Sequence, residues 1–252
     1  KQLAAAFWPG PLTLVLPKRP ACRISELATA GLDTIALRAP DHHVAQDILE
    51  AFGRPIVAPS ANRSGHVSPT IAGHVLADLR GRIDLIVNGG PTSIGVESTI
   101  VACRAGRVVM LRPGGVAREA IERLLGRALD ADTEGLAAES PESTAPIAPG
   151  MLSSHYAPRT PMRLDASSVR PGEALLAFGP ARIAGADEAV AILNLSERGD
   201  VIEAAANLFA HLRHLDGMGA SCIAATPVPN EGLGEAINDR LRRAAARSLP
   251  DH

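Results

Sequence analysis

The chain has 252 residues, 46% hydrophobic but only 2% aromatic, with a formal net charge of −2. This fits one large or two ordinary globular domains with cores of Ala, Leu, Ile and Val, and excludes disordered and collagen-like classes. The scarce aromatics argue against base stacking on single-stranded nucleic acid as a main activity.

In chain order, Gln2–Phe7 reads as helix, Pro9-Gly10-Pro11 as a turn, and Leu12–Leu16 as a buried strand stopped by Pro17. Thr34–Arg38 is a second strand ending at Pro40, and His42–Phe52 an amphipathic helix closed by Gly53. Ile56-Val57-Ala58 has strand character and runs into the cluster Pro59-Ser60-Ala61-Asn62-Arg63-Ser64-Gly65, after which Ser68-Pro69-Thr70 opens a helix over Ile71–Leu79. Strands are expected at Ile83–Val87, Glu97–Val101 and Val108–Leu111, the last two around a turn at Arg104–Gly106, followed by a helix over Arg118–Leu125. Periodicity is lost over 126–160, rich in Glu, Asp, Ser, Pro and Ala, which reads as a linker. It returns as strands at Ala174–Gly179, Ala189–Leu193 and Cys222–Ala225 and helices at Val201–Leu215 and Leu233–Ala246, the pattern of a parallel α/β domain. Formal charge is +4 over residues 1–125, −4 over 126–150 and −2 over 151–252, so the first domain is mildly basic.

Cys22, Cys103 and Cys222 are odd in number, far apart and without CxxC spacing, so neither a disulfide framework nor a zinc site is indicated and a reducing compartment fits. No apolar run approaches the roughly 20 residues that cross a bilayer, and the chain is read as cytoplasmic, with no membrane partner. It starts at Lys1, without Met and already inside a helical pattern, which suggests a piece of a longer protein.

Four features near expected strand ends carry chemistry. Thr34 and Arg38 share one face of a strand, about 13 Å apart, where a guanidinium can grip a carboxylate or phosphate with two hydrogen bonds. The loop with Ser60, Asn62, Ser64 and Ser68 follows an expected strand, where anions bind in open α/β sheets. Ser98 lies in Glu97-Ser98-Thr99, and Arg112 enters Pro113-Gly114-Gly115. Each alone is more often an ordinary connection, strand residue or solvated charge. There is no Gly-Lys pair for a Walker loop and no GxSxG elbow. His211 and His214, three apart on a helix, read as a polar face rather than a metal clip, and Arg240, Arg242, Arg243 and Arg247 as a solvated one.

Taken together, Phe7-Trp8-Pro9-Gly10-Pro11-Leu12-Thr13, Ala36–Pro40, Ala58–Gly65, Glu97–Ile100 and Arg112-Pro113-Gly114 resemble the YrdC-like domain. The continuation, with Ser154-His155-Tyr156-Ala157-Pro158, Asn194-Leu195-Ser196 and Gly232–Leu241, resembles the two-domain L-threonylcarbamoyladenylate synthase family. The resemblance spans nearly the whole chain. It implies an α/β fold: a YrdC-like twisted mixed sheet with flanking helices over 1–125, a linker and lid over 126–160, and a smaller Rossmann-like parallel α/β domain over 161–252.

It further implies a nucleotidyltransferase that forms L-threonylcarbamoyladenylate and pyrophosphate from L-threonine, bicarbonate and ATP, for threonylcarbamoyladenosine modification of tRNA by partner transferase proteins. Arg38, Ala58 and Ser98 match threonine-holding positions; Thr34, Ser60, Ser68, Arg112 and Tyr156 match ATP-holding ones, with Asn62 a secondary candidate. No residue is identified as acid or base and no protein ligand for a metal; magnesium is expected on the phosphates. Tyr156 would close over the intermediate as part of a lid. The family places a Pro-Thr-Glu-Thr-type segment and a Lys/Arg-rich motif before the Trp-Pro-Gly-Pro turn, so these 252 residues alone are expected to be inactive or nearly so. The competing reading is a module that binds double-stranded RNA or tRNA without catalysis, for which a charge of +4 is weak support.

Overall fold

A computed structural model of the chain describes residues 1–131 and 156–246. Its elements begin with α1 (Gln2–Phe7), β1 (Leu12–Pro17), β2 (Thr34–Leu37), α2 (His43–Phe52), α3 (Ala72–Leu79), β3 (Thr99–Arg104), β4 (Arg107–Arg112) and α4 (Arg118–Leu125). They continue with β5 (Met162–Arg163), β6 (Glu173–Ala177), β7 (Ile192–Asn194), α5 (Val201–Asp216), β8 (Cys222–Ala225) and α6 (Gly234–Ala245). By packing, Lys1–Ala58 groups with Glu97–Leu152, and Pro59–Val96 with Ser153–His252.

The first unit holds a four-stranded mixed sheet in the order β2-β1-β3-β4. β1 pairs antiparallel with β2, Leu14 opposite Leu37, and parallel with β3, Leu12 opposite Thr99. β3 returns as β4 through Ala105 (φ 49°) and Gly106 (φ 77°), both left-handed, the geometry that matches the twist of the flanking strands. Alternation sends Leu12, Leu14 and Val101 to one face, covered by Leu3 of α1 and Ile121 of α4. Val15, Ile100, Ala102, Val109 and Leu111 make a second apolar cluster.

The second unit holds a wholly parallel sheet in the order β5-β8-β6-β7. Asp200 caps α5, its carboxylate accepting from the N–H groups of Ile202 (2.8 Å) and Glu203 (3.2 Å). Ala204, Ala205, Leu208, Phe209, Leu212 and Leu215 then recur at helical spacing and pack against Ala174, Leu176 and Ile223 of the sheet. Val67 and Val96 join the same core, which is why 59–96 groups here. Gly95 (φ 79°) approaches α5 so closely that a Cβ would stand 2.2 Å from the Ala205 carbonyl oxygen.

Mixed and parallel sheets are as expected; several elements differ. Ile56–Ala58 and Ile83–Val87 form no strand, and Val57 and Leu85 are 66% and 78% exposed. A β-rich run becomes a strand only where a neighbour supplies the ladder, and no described strand pairs with either. β5 was not expected, and β7 starts at Ile192 rather than Ala189, behind a 3₁₀ turn at Ala186–Glu188. Most of the expected linker, 132–155, lies outside the described residues.

Candidate functional site

In the first unit Ser98 is the focus. Its side chain is buried, with the hydroxyl 2.7 Å from Thr13 Oγ1 and 3.4 Å from Arg112 Nη2. Its carbonyl accepts from Arg112 Nη2 at 2.8 Å and Nε at 3.3 Å. Arg112 is therefore no solvated charge: it is 6% exposed, and one edge of its fork satisfies a buried carbonyl. The turn after it fits because Gly114 has no side chain; a Cβ there would stand 2.3 Å from Glu97 O and 2.4 Å from Thr99 N. Gly115 N donates to Glu97 O at 2.9 Å. Thr99, fully buried, locks the same segment: its hydroxyl donates to Val116 O (2.6 Å) and accepts from Val116 N (2.9 Å).

Arg38 follows β2 by one residue. Extending the Leu37–Leu14 pairing puts it in the row of Thr13, on the face that Thr13 shares with Ser98 through their hydroxyl contact. Arg38 is exposed and makes no ion pair among the described residues. Thr34, opposite Pro17, sits at the far end of β2, about 13 Å away by strand rise. The sheet thus gathers Arg38, Thr13, Ser98 and Arg112 at one end and leaves Thr34 at the other. Ala58 is exposed.

In the second unit, the Ser/Gly loop is held by its own polar groups rather than by a preceding strand. Ser60 is exposed, whereas Asn62 and Ser68 are buried. Asn62 Nδ2 donates to the carbonyls of Arg63 (2.9 Å) and His66 (3.0 Å), which fixes the amide's orientation. Asn62 Oδ1 is then a buried acceptor without a partner, a state that costs about 1–3 kcal/mol until a donor arrives. Thr70 N donates to His74 Nδ1 at 3.2 Å, leaving the proton of the neutral ring on Nε2. Burial and the Arg213 charge hold His74 below its ordinary 6.5, against a smaller opposing pull from Asp78. Burial is the largest single influence and pushes the Asp78 carboxyl up, but the hydrogen bond and charge of Arg213, joined by His66 and Arg63, together outweigh it and hold the group below 3.8.

Tyr156, expected in a lid, is 2% exposed in the core of this unit. Its ring stacks on Phe209 (centroids 5.6 Å apart), and the fully buried Arg240 guanidinium lies 5.1 Å from its centroid. Ala157 N donates to Gly65 O at 2.9 Å, tying this segment to the Ser/Gly loop. Ser154 and His155 lie outside the described residues. His211 is partly buried, and burial followed by the neighbouring His214 lowers its pKa. Among the described residues no three His, Cys, Asp or Glu side chains group as a metal site. Thr99, Asp78 and Arg213 were missed from sequence; only Thr99 had a local signal, its place beside Ser98.

Residues 1–114 match the Sua5–YciO–YrdC family profile, described as telomere recombination, and 116–246 match the threonylcarbamoyl-AMP synthase C-terminal domain. The chain is 42% identical to the threonylcarbamoyl-AMP synthase of Bacillus subtilis over 97% of its own length and 72% of that protein's. It is 39% identical to the Pyrococcus abyssi threonylcarbamoyl-AMP synthase, over 97% and 73%. The crystal structure of P. abyssi Sua5 complexed with L-threonine superposes with a TM-score of 0.81 at 37% identity, over 98% of this chain and 73% of that one. A doubly substituted variant of the same protein gives 0.80 at 35% identity, over 98% and 72%.

Proposed function

The chain belongs to the threonylcarbamoyl-AMP synthase family, and on that premise we propose that it joins L-threonine, bicarbonate and ATP into L-threonylcarbamoyladenylate and pyrophosphate. The threonine amine bonds to the bicarbonate carbon as one C–O bond of bicarbonate breaks and water leaves, giving N-carboxythreonine. Its carboxylate oxygen bonds to the α-phosphorus of ATP as the bond from that phosphorus to the β-phosphate oxygen breaks, and pyrophosphate leaves. The threonylcarbamoyl group then passes to an adenosine in tRNA through partner transferase proteins, in the cytoplasm. No helix among the described residues is long and apolar enough to cross a membrane.

Arg38, Ala58 and Ser98 take threonine; Thr34, Ser60, Ser68, Arg112 and Tyr156 take ATP, with Asn62 Oδ1 a further acceptor in the Ser/Gly loop. One observation carries the threonine half: an exposed guanidinium, Arg38, stands in the strand row whose hydroxyl meets Ser98, on a chain similar to a protein crystallised with L-threonine. A carboxylate suits the fork of Arg38, and an ammonium or hydroxyl suits the Ser98–Thr13 pair. Magnesium comes with ATP as part of the substrate. With hydroxyls and guanidinium groups and no assigned acid or base, the acceleration comes from positioning and charge neutralisation. Contact with double-stranded RNA or tRNA, on this reading, accompanies catalysis instead of replacing it.

The test is pyrophosphate release by the protein carrying this chain, with the adenylate followed by mass spectrometry. Release that needs all three substrates and matches the adduct mole for mole is expected. Release without threonine, or salt-sensitive tRNA binding with no adduct, overturns the proposal. Arg38→Ala is expected to raise the threonine KM about tenfold or more, since a hydrogen bond to a charged group contributes about 1.5–3 kcal/mol.

A further inference from the structure

Arg213 sits in the last turn of α5, in a helix whose buried stripe serves the core. Its side chain is only 16% exposed, and the guanidinium reaches the Ser/Gly loop. Nη2 and Nη1 reach the two oxygens of Asp78, on α3, at 2.6 and 3.5 Å. The other edge of the fork meets the backbone: Nη2 donates to the carbonyl of Val67 and Nε to that of Ser68, at 3.3 Å. One planar group therefore binds two consecutive peptides and a carboxylate from another helix, all within one packing unit.

A buried ion pair is a weak stabiliser, because desolvating both charges offsets most of their attraction. What this one does well is fix geometry. Val67 and Ser68 are buried in irregular backbone, so their carbonyls have no sheet to satisfy them, and the Arg213 fork does it. The peptide between them is planar and trans, so pinning the Val67 carbonyl on Arg213 aims the Ser68 N–H the opposite way. The rest of the loop is secured similarly: Asn62 holds the carbonyls of Arg63 and His66, and Ala157 N holds that of Gly65. The loop's carbonyls are drawn onto groups of its own unit, which sets the directions of the peptides between them.

We infer that Arg213 is a positioning residue for nucleotide binding: from α5 it sets the 67–68 peptide, and with it the placing of Ser68 toward ATP. This rests on the proposed reading that Ser68 contacts ATP. Lysine is no substitute, since a single ammonium cannot hold two carbonyls and a carboxylate in one plane.

The test measures KM for ATP and for threonine, kcat, and thermal stability in the protein carrying this chain. Arg213→Gln is expected to raise the ATP KM about ten- to a hundredfold, the scale of an ångström misplacement, with the threonine KM within twofold. Arg213→Lys is expected to fall between. A purely structural role would lower kcat with the folded fraction and leave both KM values alone; that result, or equal rises in both, overturns the inference. If Arg213→Gln does not fold, the pair Arg213→Met with Asp78→Leu removes both charges together, and an unchanged ATP KM there is equally fatal. Ser68→Ala separates the layers: if it leaves the ATP KM unchanged, the underlying reading of Ser68 fails. If it raises that KM while Arg213→Gln does not, only the inference fails.

Discussion

A single methyl group added at Gly114 tests how tightly the Arg112–Gly115 turn is built against Ser98. In Gly114→Ala the new Cβ would lie 2.3 Å from Glu97 O, 2.4 Å from Thr99 N and 2.5 Å from Ser98 C, all backbone atoms that cannot rotate away. Restoring ordinary contact needs a shift of about 1.1 Å between the two segments, well beyond the slack of a packed interior. That shift breaks the 2.9 Å bond from Gly115 N to Glu97 O and stretches the 2.7 Å Ser98–Thr13 contact past hydrogen-bonding range. Overpacking costs about 1–3 kcal/mol and each of the two lost hydrogen bonds about 1, so the expected destabilisation is about 3–5 kcal/mol. For a chain of this size that lowers Tm by about 6–20 °C. If Ser98 also serves threonine, the threonine KM rises alongside. The assay is thermal unfolding together with pyrophosphate release at varied threonine. An unchanged Tm with threonine KM within twofold would refute both the close approach and the role given to Ser98.

Three further outcomes follow from other contacts. Thr99→Val keeps the shape but strips Val116 of both backbone partners, and should cost about 2–4 kcal/mol by urea unfolding. Tyr156→Ala should cost about 3–5 kcal/mol, as removal of a core aromatic does, whereas Tyr156→Phe keeps the stack on Phe209 and should cost much less. His74 is held below 6.5 in the fold, so the unfolded chain takes up its proton first; stability is full above pH 6.5 and falls as pH drops below it. Asp78, held below 3.8, contributes above that value and is lost as pH falls further through its folded pKa. Urea midpoints measured from pH 7.5 to 5 should fall in the native protein, less steeply in His74→Gln; His211, lowered likewise, contributes to the slope that remains.

What the sequence made legible is what local physics decides. α5 is read at Val201–Leu215 and observed at Val201–Asp216, because a capping aspartate, a continuous apolar stripe and a following Gly all act within the helix. α4 and the β3–β4 hairpin are readable for the same reason. Ile56–Ala58 and Ile83–Val87 were misread because strand formation depends on a partner that the run itself does not encode. At the site, Arg112 looks from its neighbours like a surface charge; only the fold puts the Ser98 carbonyl, fourteen positions earlier, against its fork. Arg213 and Asp78 are 135 residues apart, and no spacing rule connects them.

The seat of Tyr156 sets a limit on how this residue can serve a nucleotide. Leaving it forfeits the face-on contact with Phe209, the Arg240 cation and the cover of the surrounding apolar atoms, together about 4 kcal/mol. At equilibrium a swung-out ring would then be present in about one molecule per thousand. A nucleotide that required the outward ring would bind a thousandfold more weakly than its contacts allow, so efficient use of Tyr156 is use of the ring where it already lies.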